Sequence, residues 1–391
     1  MHDMKPTPPE TETVEAFELS IPQSELDNLR LKLSLTRLPD RETAEDWHQG
    51  VPLDAMKALI SYWADRYDWR RCENELNRRG QSRTRIDGLN IHFLHVRSPQ
   101  PNATPLLLTH GWPGSIIEFL KVIAPLSDPV RHGGSSSDAF HLVIPSIPGY
   151  GFSEHPREGG WSIERVARAW AVLMDRLGYQ DYIAQGGDWG AGISLHMGMQ
   201  APAGLAGIHL NLPAGQPTAE ELGDLSDEEA EIMAQVRWHM TYNRSYSEIQ
   251  RTRPQTLGYG LADSPAGQAA WIYEKFRTWT DCAGDPTNSF SYDELLDNIM
   301  LYWLSNSGAS AARLYHESDT NFGRMPVPQP IGVSSFRKEI MRSTRKWTER
   351  VYPNFVYWNE VPRGGHFAAF EQPMLFVEEL RRFKRVLKAV G

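Results

Sequence analysis

The spacing of apolar residues changes sharply along the N-terminal part of the chain. Residues 17–79 carry apolar side chains mostly at helical spacing, which predicts a helical region. Two short alternating runs follow at 82–86 and 89–96, separated by Asp87-Gly88. An Asp-Gly pair between alternating runs is typical of a β-hairpin, so the pattern predicts a switch from helices to strands here.

Strand-like and helix-like runs then alternate towards the middle of the chain. We predict strands at 105–109, 140–144, 181–185 and 205–210, and helices at 115–126, 162–177 and 191–200. The run at 105–109 is continuously apolar, as in strands buried on both faces, and the alternation predicts a mostly parallel sheet covered by helices. The alternation stops near Pro213 and returns with strands at 331–334 and 354–358 and a helix at 374–387.

These patterns predict an α/β fold in four parts. A polar, proline-rich flexible leader covers residues 1–15, and a helical extension covers 16–91. The α/β core comprises residues 92–213 and 326–391, and a helical cap at 214–325 is inserted into it. The start of the chain has no apolar stretch typical of a secretory signal, and no run reaches the ~18–20 apolar residues of a spanning helix. We therefore expect a soluble, cytoplasmic protein.

Charge and composition narrow the range of partners. The net charge at pH 7 is −9, whereas nucleic-acid binders need a basic face, so we expect no nucleic-acid partner. Two cysteines, Cys72 and Cys282, fit a reduced protein better than a disulfide scaffold. The chain contains no His-Glu-x-x-His or paired-cysteine motif, so we predict neither a metal nor an organic cofactor.

One turn offers a nucleophile. The sequence Gly186-Gly187-Asp188-Trp189-Gly190 follows a predicted strand and precedes a predicted helix. Small residues in that context are typical of the nucleophile elbow of α/β-hydrolases, here with Asp188 where serine usually stands. A carboxylate can attack carbon and form an ester with the enzyme. An aspartate there is also a common helix N-cap, and the turn alone does not separate these two roles.

A second turn offers hydrogen-bond donors. We call residues 110–115, His-Gly-Trp-Pro-Gly-Ser, the oxyanion turn, because in this fold the turn after that strand supplies one backbone N–H to a developing oxyanion. We assign the two donors to the backbone N–H groups of Trp112 and Trp189. We also predict a cis peptide bond before Pro113.

A histidine and an acid complete the constellation. His366 lies on a glycine-rich loop after the last predicted strand, where it can act as general base. An acid after the strand at 331–334 would fix the tautomer of this histidine. Glu339 is the preferred candidate, and Asp319 and Glu360 are the alternatives. The chain order of nucleophile, acid and histidine matches that of α/β-hydrolases.

Three motifs give the chain a resemblance to a known family. The oxyanion turn, the sequence at 186–190 and the run at 363–373, Arg-Gly-Gly-His-Phe-Ala-Ala-Phe-Glu-Gln-Pro, resemble the microsomal-type epoxide hydrolases. Residues 17 to about 91 resemble the family's N-terminal extension. The polar leader differs from the membrane anchor of microsomal members, so the resemblance is to a soluble, bacterial-style member.

The resemblance implies a reaction and further site residues. Segments 246–254 and 313–317 are similar to those that carry two tyrosines donating to the epoxide oxygen, which implies Tyr246 and Tyr315. Glu339 likewise falls in the place of the family's acid. The implied activity converts an epoxide to a vicinal diol through an ester on Asp188, which water activated by His366 then hydrolyses.

The expected partner is a small epoxide, of a bulky or aryl kind given the aromatic residues of the cap. No membrane partner is expected, and a homodimer is left open. Two alternative functions are also weighed. A haloalkane dehalogenase would use the same nucleophile and histidine, and a non-catalytic binding protein would use the fold alone.

Overall fold

A computed structural model describes residues 13–45, 47–319 and 327–390. The strands in these ranges form a single sheet: β1 Val14–Ala16, β2 Gln81–Ile86, β3 Leu89–Val96, β4 Thr104–Thr109, β5 Phe140–Pro145, β6 Tyr182–Gly186, β7 Leu205–Leu210, β8 Ile331–Lys338 and β9 Phe355–Gly365. Their order is β1-β2-β3-β5-β4-β6-β7-β8-β9. The first four strands in that order pair antiparallel and all later neighbours pair parallel, as predicted for an α/β core.

The helices follow the predicted alternation. Their bounds are α1 Gln23–Ser34, α2 Leu53–Asp65, α3 Trp69–Asn77, α4 Leu120–Ser127, α5 Ile163–Arg176, α6 Asp188–Gln200, α7 Asp227–Trp238, α8 Ser245–Thr252, α9 Pro254–Asp263, α10 Pro265–Trp279, α11 Tyr292–Leu304, α12 Gly308–Glu317, α13 Arg345–Glu349, α14 Ala368–Glu371 and α15 Pro373–Val390. Helices α7–α12 lie between β7 and β8 in the chain. Within the described ranges, no helix is both long and apolar enough to cross a membrane.

The central strands are buried because their side chains are apolar on both faces. Leu106, Leu107 and Leu108 of β4 are completely inaccessible to solvent. Burying a leucine side chain contributes about 1.5–3 kcal/mol relative to leaving it exposed, so this strand is a strong anchor for the turn that follows it. Asp87 and Gly88 have positive φ angles of 48° and 82°, as the predicted tight hairpin requires.

The N-terminal boundary differs from the sequence-based expectation. Residues 1–12 of the predicted leader lie outside the described residues. Val14–Ala16 form an edge strand, in which Val14 pairs with Thr84 and Ala16 pairs with Ser82. The prediction that the leader extends to residue 15 is therefore wrong at its end. A three-residue edge strand is too short for alternation to reveal it.

The last two strands are longer than their apolar cores suggested. Strand β8 continues to Lys338 and β9 continues to Gly365, where these two residues pair in the parallel ladder. Because Glu339 and His366 directly follow this pair, the register of the two strands brings them side by side. The sheet thus positions two residues that are 27 positions apart in sequence.

Candidate active site

Asp188 stands in a strained turn at the C-terminal end of β6. Its φ angle is 48°, and it is the first residue of α6, whose N-cap is Gly187. Asp188 therefore does not occupy the N-cap position that the alternative interpretation would give it. A Cβ atom on Gly190 would lie 2.0 Å from the carbonyl oxygen of Thr109, so only glycine permits this close approach of the turn to β4.

The oxyanion turn lies directly against the Asp188 carboxylate. The backbone N–H of Trp112 donates to Asp188 Oδ1 at 2.9 Å, and the peptide bond between Trp112 and Pro113 is cis, as predicted. A Cβ atom on Gly111 would lie 2.2 Å from the same oxygen, so a side chain there would displace the carboxylate. Trp189 is the second residue of α6, where a backbone N–H points towards the N-terminal end of its helix.

His366 bridges two carboxylates. Its Nε2 lies 3.3 Å from Asp188 Oδ2, and its Nδ1 lies 2.8 Å from Oε1 of Glu339, which is fully buried. Burial lowers the pKa of His366, but the charges and hydrogen bonds of Glu339 and Asp188 outweigh burial and hold this pKa well above its ordinary value. The two oxygens of Asp188 therefore face different partners, Oδ1 the oxyanion turn and Oδ2 the histidine.

The other two acids that the sequence left open, Asp319 and Glu360, are exposed, whereas His366 is buried. Glu360 accepts a hydrogen bond from the indole N–H of Trp358, two residues before it on β9. The geometry thus favours Glu339 as the partner of His366.

The loop that carries His366 is fixed by a buried carboxylate. Glu371 accepts hydrogen bonds from the backbone N–H groups of Gly365 and Phe367, which flank the histidine, and from that of Asp281. Burial raises the pKa of Glu371 to about 7, although these three hydrogen bonds act in the opposite direction. The backbone N–H of His366 itself donates to the carbonyl of Trp279 in the cap. Glu371 lies inside the sequence motif at 363–373, but its role there appears only in three dimensions.

The two tyrosines pack on the tryptophans assigned to the oxyanion hole. Tyr246 stacks on the Trp112 ring with centroids 5.0 Å apart, and Tyr315 meets the Trp189 ring edge-on at 4.7 Å. The centroids of the two tyrosine rings are 6.0 Å apart. Burial and the negative charge of Asp188 both raise the pKa of each hydroxyl, so both tyrosines are proton donors at neutral pH.

Asp188 lines two cavities of very different size. The smaller, about 20 Å³, is also lined by His366 and Glu118 and is large enough for one water molecule. Burial raises the pKa of Glu118 to about 8, and the positive charge of His366 opposes this shift. Sequence reasoning missed Glu118, because a glutamate three residues after the oxyanion turn resembles an ordinary solvent-facing helix residue. We call this space the water chamber.

The second cavity has a volume of about 580 Å³, within the usual range of small-molecule sites. Tyr246 and Tyr315 line it together with Asp188, so the nucleophile and both hydroxyl donors face the same space. Its walls include the side chains of Leu195, Met233 and Val236. We call this space the large cavity.

The cap and the N-terminal extension both brace the oxyanion turn. Asn298 of α11 donates to the carbonyl of Pro113 at 2.8 Å and accepts from the Ser115 hydroxyl at 2.7 Å. Asp297, the preceding residue, accepts hydrogen bonds from Tyr67 and Arg71 of the extension. The N-terminal extension therefore stabilises helix α11, which in turn stabilises the oxyanion turn.

These contacts define what the site can do chemically. A carboxylate lines the same cavity as two hydroxyl donors, which suits attack on a carbon whose leaving oxygen must be protonated. A histidine polarised by an acid stands next to a space for one water molecule, which suits hydrolysis of the resulting ester. The arrangement brings together all seven residues that the sequence assigned: Trp112, Asp188, Trp189, Tyr246, Tyr315, Glu339 and His366.

Known proteins resemble this chain over most of its length. Residues 14–119 match the family described as epoxide hydrolase N terminus, and residues 104–240 match the α/β hydrolase fold. The chain is 55% identical to a putative epoxide hydrolase of Stigmatella aurantiaca over 95% of this chain and 85% of that protein. It is 36% identical to epoxide hydrolase 1 of Sus scrofa, over 98% of this chain and 91% of that protein. The crystal structure of juvenile hormone epoxide hydrolase from the silkworm Bombyx mori superposes with a TM-score of 0.90 at 30% identity, covering 97% and 96% of the two chains.

Proposed function

Because this chain belongs to the microsomal-type epoxide hydrolase family and is an epoxide hydrolase, we propose that it opens its substrate through a covalent ester on Asp188. The proposal is supported by the different partners of the two carboxylate oxygens of Asp188. Oδ1 accepts from the Trp112 N–H, while Oδ2 lies beside His366. One oxygen can therefore be stabilised as the ester carbonyl while the other forms the new bond.

In the first step, Asp188 Oδ2 attacks one carbon of the epoxide in the large cavity. The carbon–oxygen bond of the ring breaks, and the leaving oxygen takes a proton from Tyr246 or Tyr315. An unassisted alkoxide is a poor leaving group, so these donors lower the barrier to ring opening. The product of this step is a hydroxyalkyl ester of Asp188.

In the second step, water in the chamber attacks the ester carbonyl. Esterification removes the negative charge of Asp188, one of the two carboxylates that raise the pKa of His366, so this pKa falls and more of the histidine is in the neutral form that can accept a proton. His366 takes the proton of the water, Glu339 stabilises the imidazolium, and the Trp112 and Trp189 N–H groups stabilise the oxyanion. Glu118 faces the same chamber and positions the water. The tetrahedral intermediate then collapses: the bond between the carbonyl carbon and the alkyl oxygen breaks, and the imidazolium of His366 returns its proton to the leaving oxygen of the diol. The Asp188 acid formed in this way gives up its proton, which restores the tyrosine hydroxyl used in the first step, and the Asp188 carboxylate is regenerated.

A paired substrate panel tests the reaction class. We expect purified protein to convert styrene oxide and bulkier aryl epoxides to vicinal diols, because the large cavity of about 580 Å³ admits them. Diols are measured by chromatography, and bromide release from bromoalkanes of matching size is measured in parallel. Bromide release without turnover of any epoxide would replace the proposal by a haloalkane dehalogenase, and turnover of neither class would favour a non-catalytic protein.

Removing the tyrosine hydroxyls should slow only the first step. Loss of one preorganised donor costs about 10²–10³ in rate in other enzymes, and here a second donor remains, so we expect Tyr246→Phe or Tyr315→Phe to slow ester formation about 10- to 100-fold. The double variant should lose more than either single variant. Rapid-quench single-turnover measurements separate ester formation from ester hydrolysis.

The matched control is Tyr259→Phe, since Tyr259 belongs to the same cap but is 72% exposed. It should form the ester at the normal rate. The assignment of Tyr246 and Tyr315 fails if their variants form the ester normally, or if ester hydrolysis slows as much as ester formation.

A further inference from the structure

The large cavity is lined by an arginine whose guanidinium has no partner among the described residues. Arg342 lines this cavity and is half-buried. Its Nε–H is buried, and within the described residues it makes neither a hydrogen bond nor an ion pair. Leaving a buried donor without a hydrogen-bond acceptor costs about 1–3 kcal/mol of stability. A molecule bound in the cavity would remove this cost if it accepted a hydrogen bond from the Nε–H group.

Charge elsewhere in the cavity does not balance Arg342. The other arginine of the lining, Arg244, forms an ion pair with Glu248 at 3.1 Å. His239 also lines the cavity, and burial lowers its pKa to about 4, so it is neutral at pH 7. Asp188, the only carboxylate of the lining among the described residues, faces the histidine and the oxyanion turn. Arg342 is thus the unbalanced positive charge of this space.

Arg342 lies close in sequence to the catalytic acid Glu339 but is not one of the catalytic residues. It follows the acid Glu339 by three residues, on the segment that leads from β8 to α13. The next residue, Ser343, donates through its hydroxyl to the carbonyl of Gly215, which ties this segment to the chain beyond β7. The segment therefore forms a fixed wall that carries a cation.

Most of the residues that form the remaining walls are of apolar type. Leu195, Leu212, Met240, Ile340 and Val351 all contribute side chains to the lining. A molecule with an apolar chain and one anionic end fits such a space, because its chain would pack against the apolar side chains while its anionic group pairs with the guanidinium. A planar carboxylate can accept two parallel hydrogen bonds from arginine.

From these observations, and resting on the proposed function, we propose that the preferred substrates are epoxides that carry a carboxylate on an apolar chain, bound through Arg342. The guanidinium anchors the carboxylate while the epoxide is presented to Asp188. Arg342 is a specificity-determining residue in this scheme and takes no part in bond making.

The test compares three substrates on four proteins. The substrates are a long-chain epoxy carboxylic acid such as 9,10-epoxyoctadecanoate, its methyl ester and neutral styrene oxide, with both lipids below their critical micelle concentrations. The proteins are the wild type, Arg342→Gln, Arg342→Glu and Arg345→Gln. Arg345 is the matched control, since it is an exposed arginine three residues further on that pairs with Glu349 outside the cavity.

A charge-assisted hydrogen bond to the carboxylate should raise kcat/KM of the wild type for the acid over the ester about 10- to 100-fold. Arg342→Gln should reduce this ratio to near one, and Arg342→Glu should favour the ester. Styrene oxide has no carboxylate for Arg342 to bind, so both variants should still turn it over, which shows that they fold and remain active. Arg345→Gln should keep the full preference for the acid.

Two results overturn the inference without touching the proposed function. The first is a wild type that hydrolyses styrene oxide but treats acid and ester alike. The second is an acid preference that survives Arg342→Gln or disappears equally in Arg345→Gln. A wild type that turns over none of the three epoxides would instead refute the proposed function, so the two failures are distinguishable.

Discussion

Replacing Asp188 with Ala or Asn is expected to abolish epoxide turnover, with a loss of at least about 10⁴-fold in kcat/KM. The reason is that no other carboxylate of the described lining can take its place in the large cavity. A companion measurement follows the oxygen. In a single turnover in ¹⁸O-water, the diol should receive its new oxygen from Asp188 and stay unlabelled, while the peptide that contains Asp188 gains one ¹⁸O atom by mass spectrometry.

The matched control for this substitution is Asp181→Asn. Asp181 lies just before β6, on the same strand-to-helix unit, but is exposed. Its variant should retain wild-type activity, which separates loss of the nucleophile from a general effect of losing a carboxylate. Solvent label in the diol of the first turnover would mean direct attack by water, and a fully active Asp188→Asn protein, with deamidation excluded by mass spectrometry, would remove Asp188 from the mechanism.

The sheet was predictable from sequence because its strands are buried on both faces. Continuous apolar runs such as 105–109 are hard to mistake, and the hairpin at Asp87-Gly88 has a local cause in its turn chemistry. Edge and exposed strands lack that signal. Val14–Ala16 is held by pairing with β2, and the exposed end of β8 is held by pairing with β9, so their lengths depend on contacts with distant residues.

Some residues of the candidate site were also predictable from sequence, and others were not. Asp188 and Trp112 were predictable because strained turns need glycines at fixed positions beside them. Tyr246 and Tyr315 depended on resemblance, since nothing local distinguishes them from other buried aromatic residues. Glu118 and Arg342 could not be predicted, because facing a cavity is a property of the folded chain and has no sequence signature.

Replacing His366 with Gln is expected to separate the two steps and trap the ester. Attack by Asp188 needs the ionised carboxylate and the tyrosine hydroxyls, whereas hydrolysis needs the base. We therefore expect ester formation to persist while ester hydrolysis slows by about 10²–10⁴-fold. Intact-protein mass spectrometry after addition of epoxide should show close to one adduct per enzyme, located on the peptide that contains Asp188.

Three comparisons give this result its meaning. His132→Gln, at an exposed histidine, should turn over normally and accumulate no adduct. Glu118→Gln should slow the same hydrolysis step to a smaller extent, because it disturbs the water but leaves the base in place.

In the wild type, the rate of ester hydrolysis should rise with pH and level off above the pKa of His366 in the ester, since only the neutral imidazole can accept a proton. A His366→Gln protein that turns over epoxide without accumulating ester would show that another group activates the water, and the pairing of His366 with Glu339 would then have only a structural role.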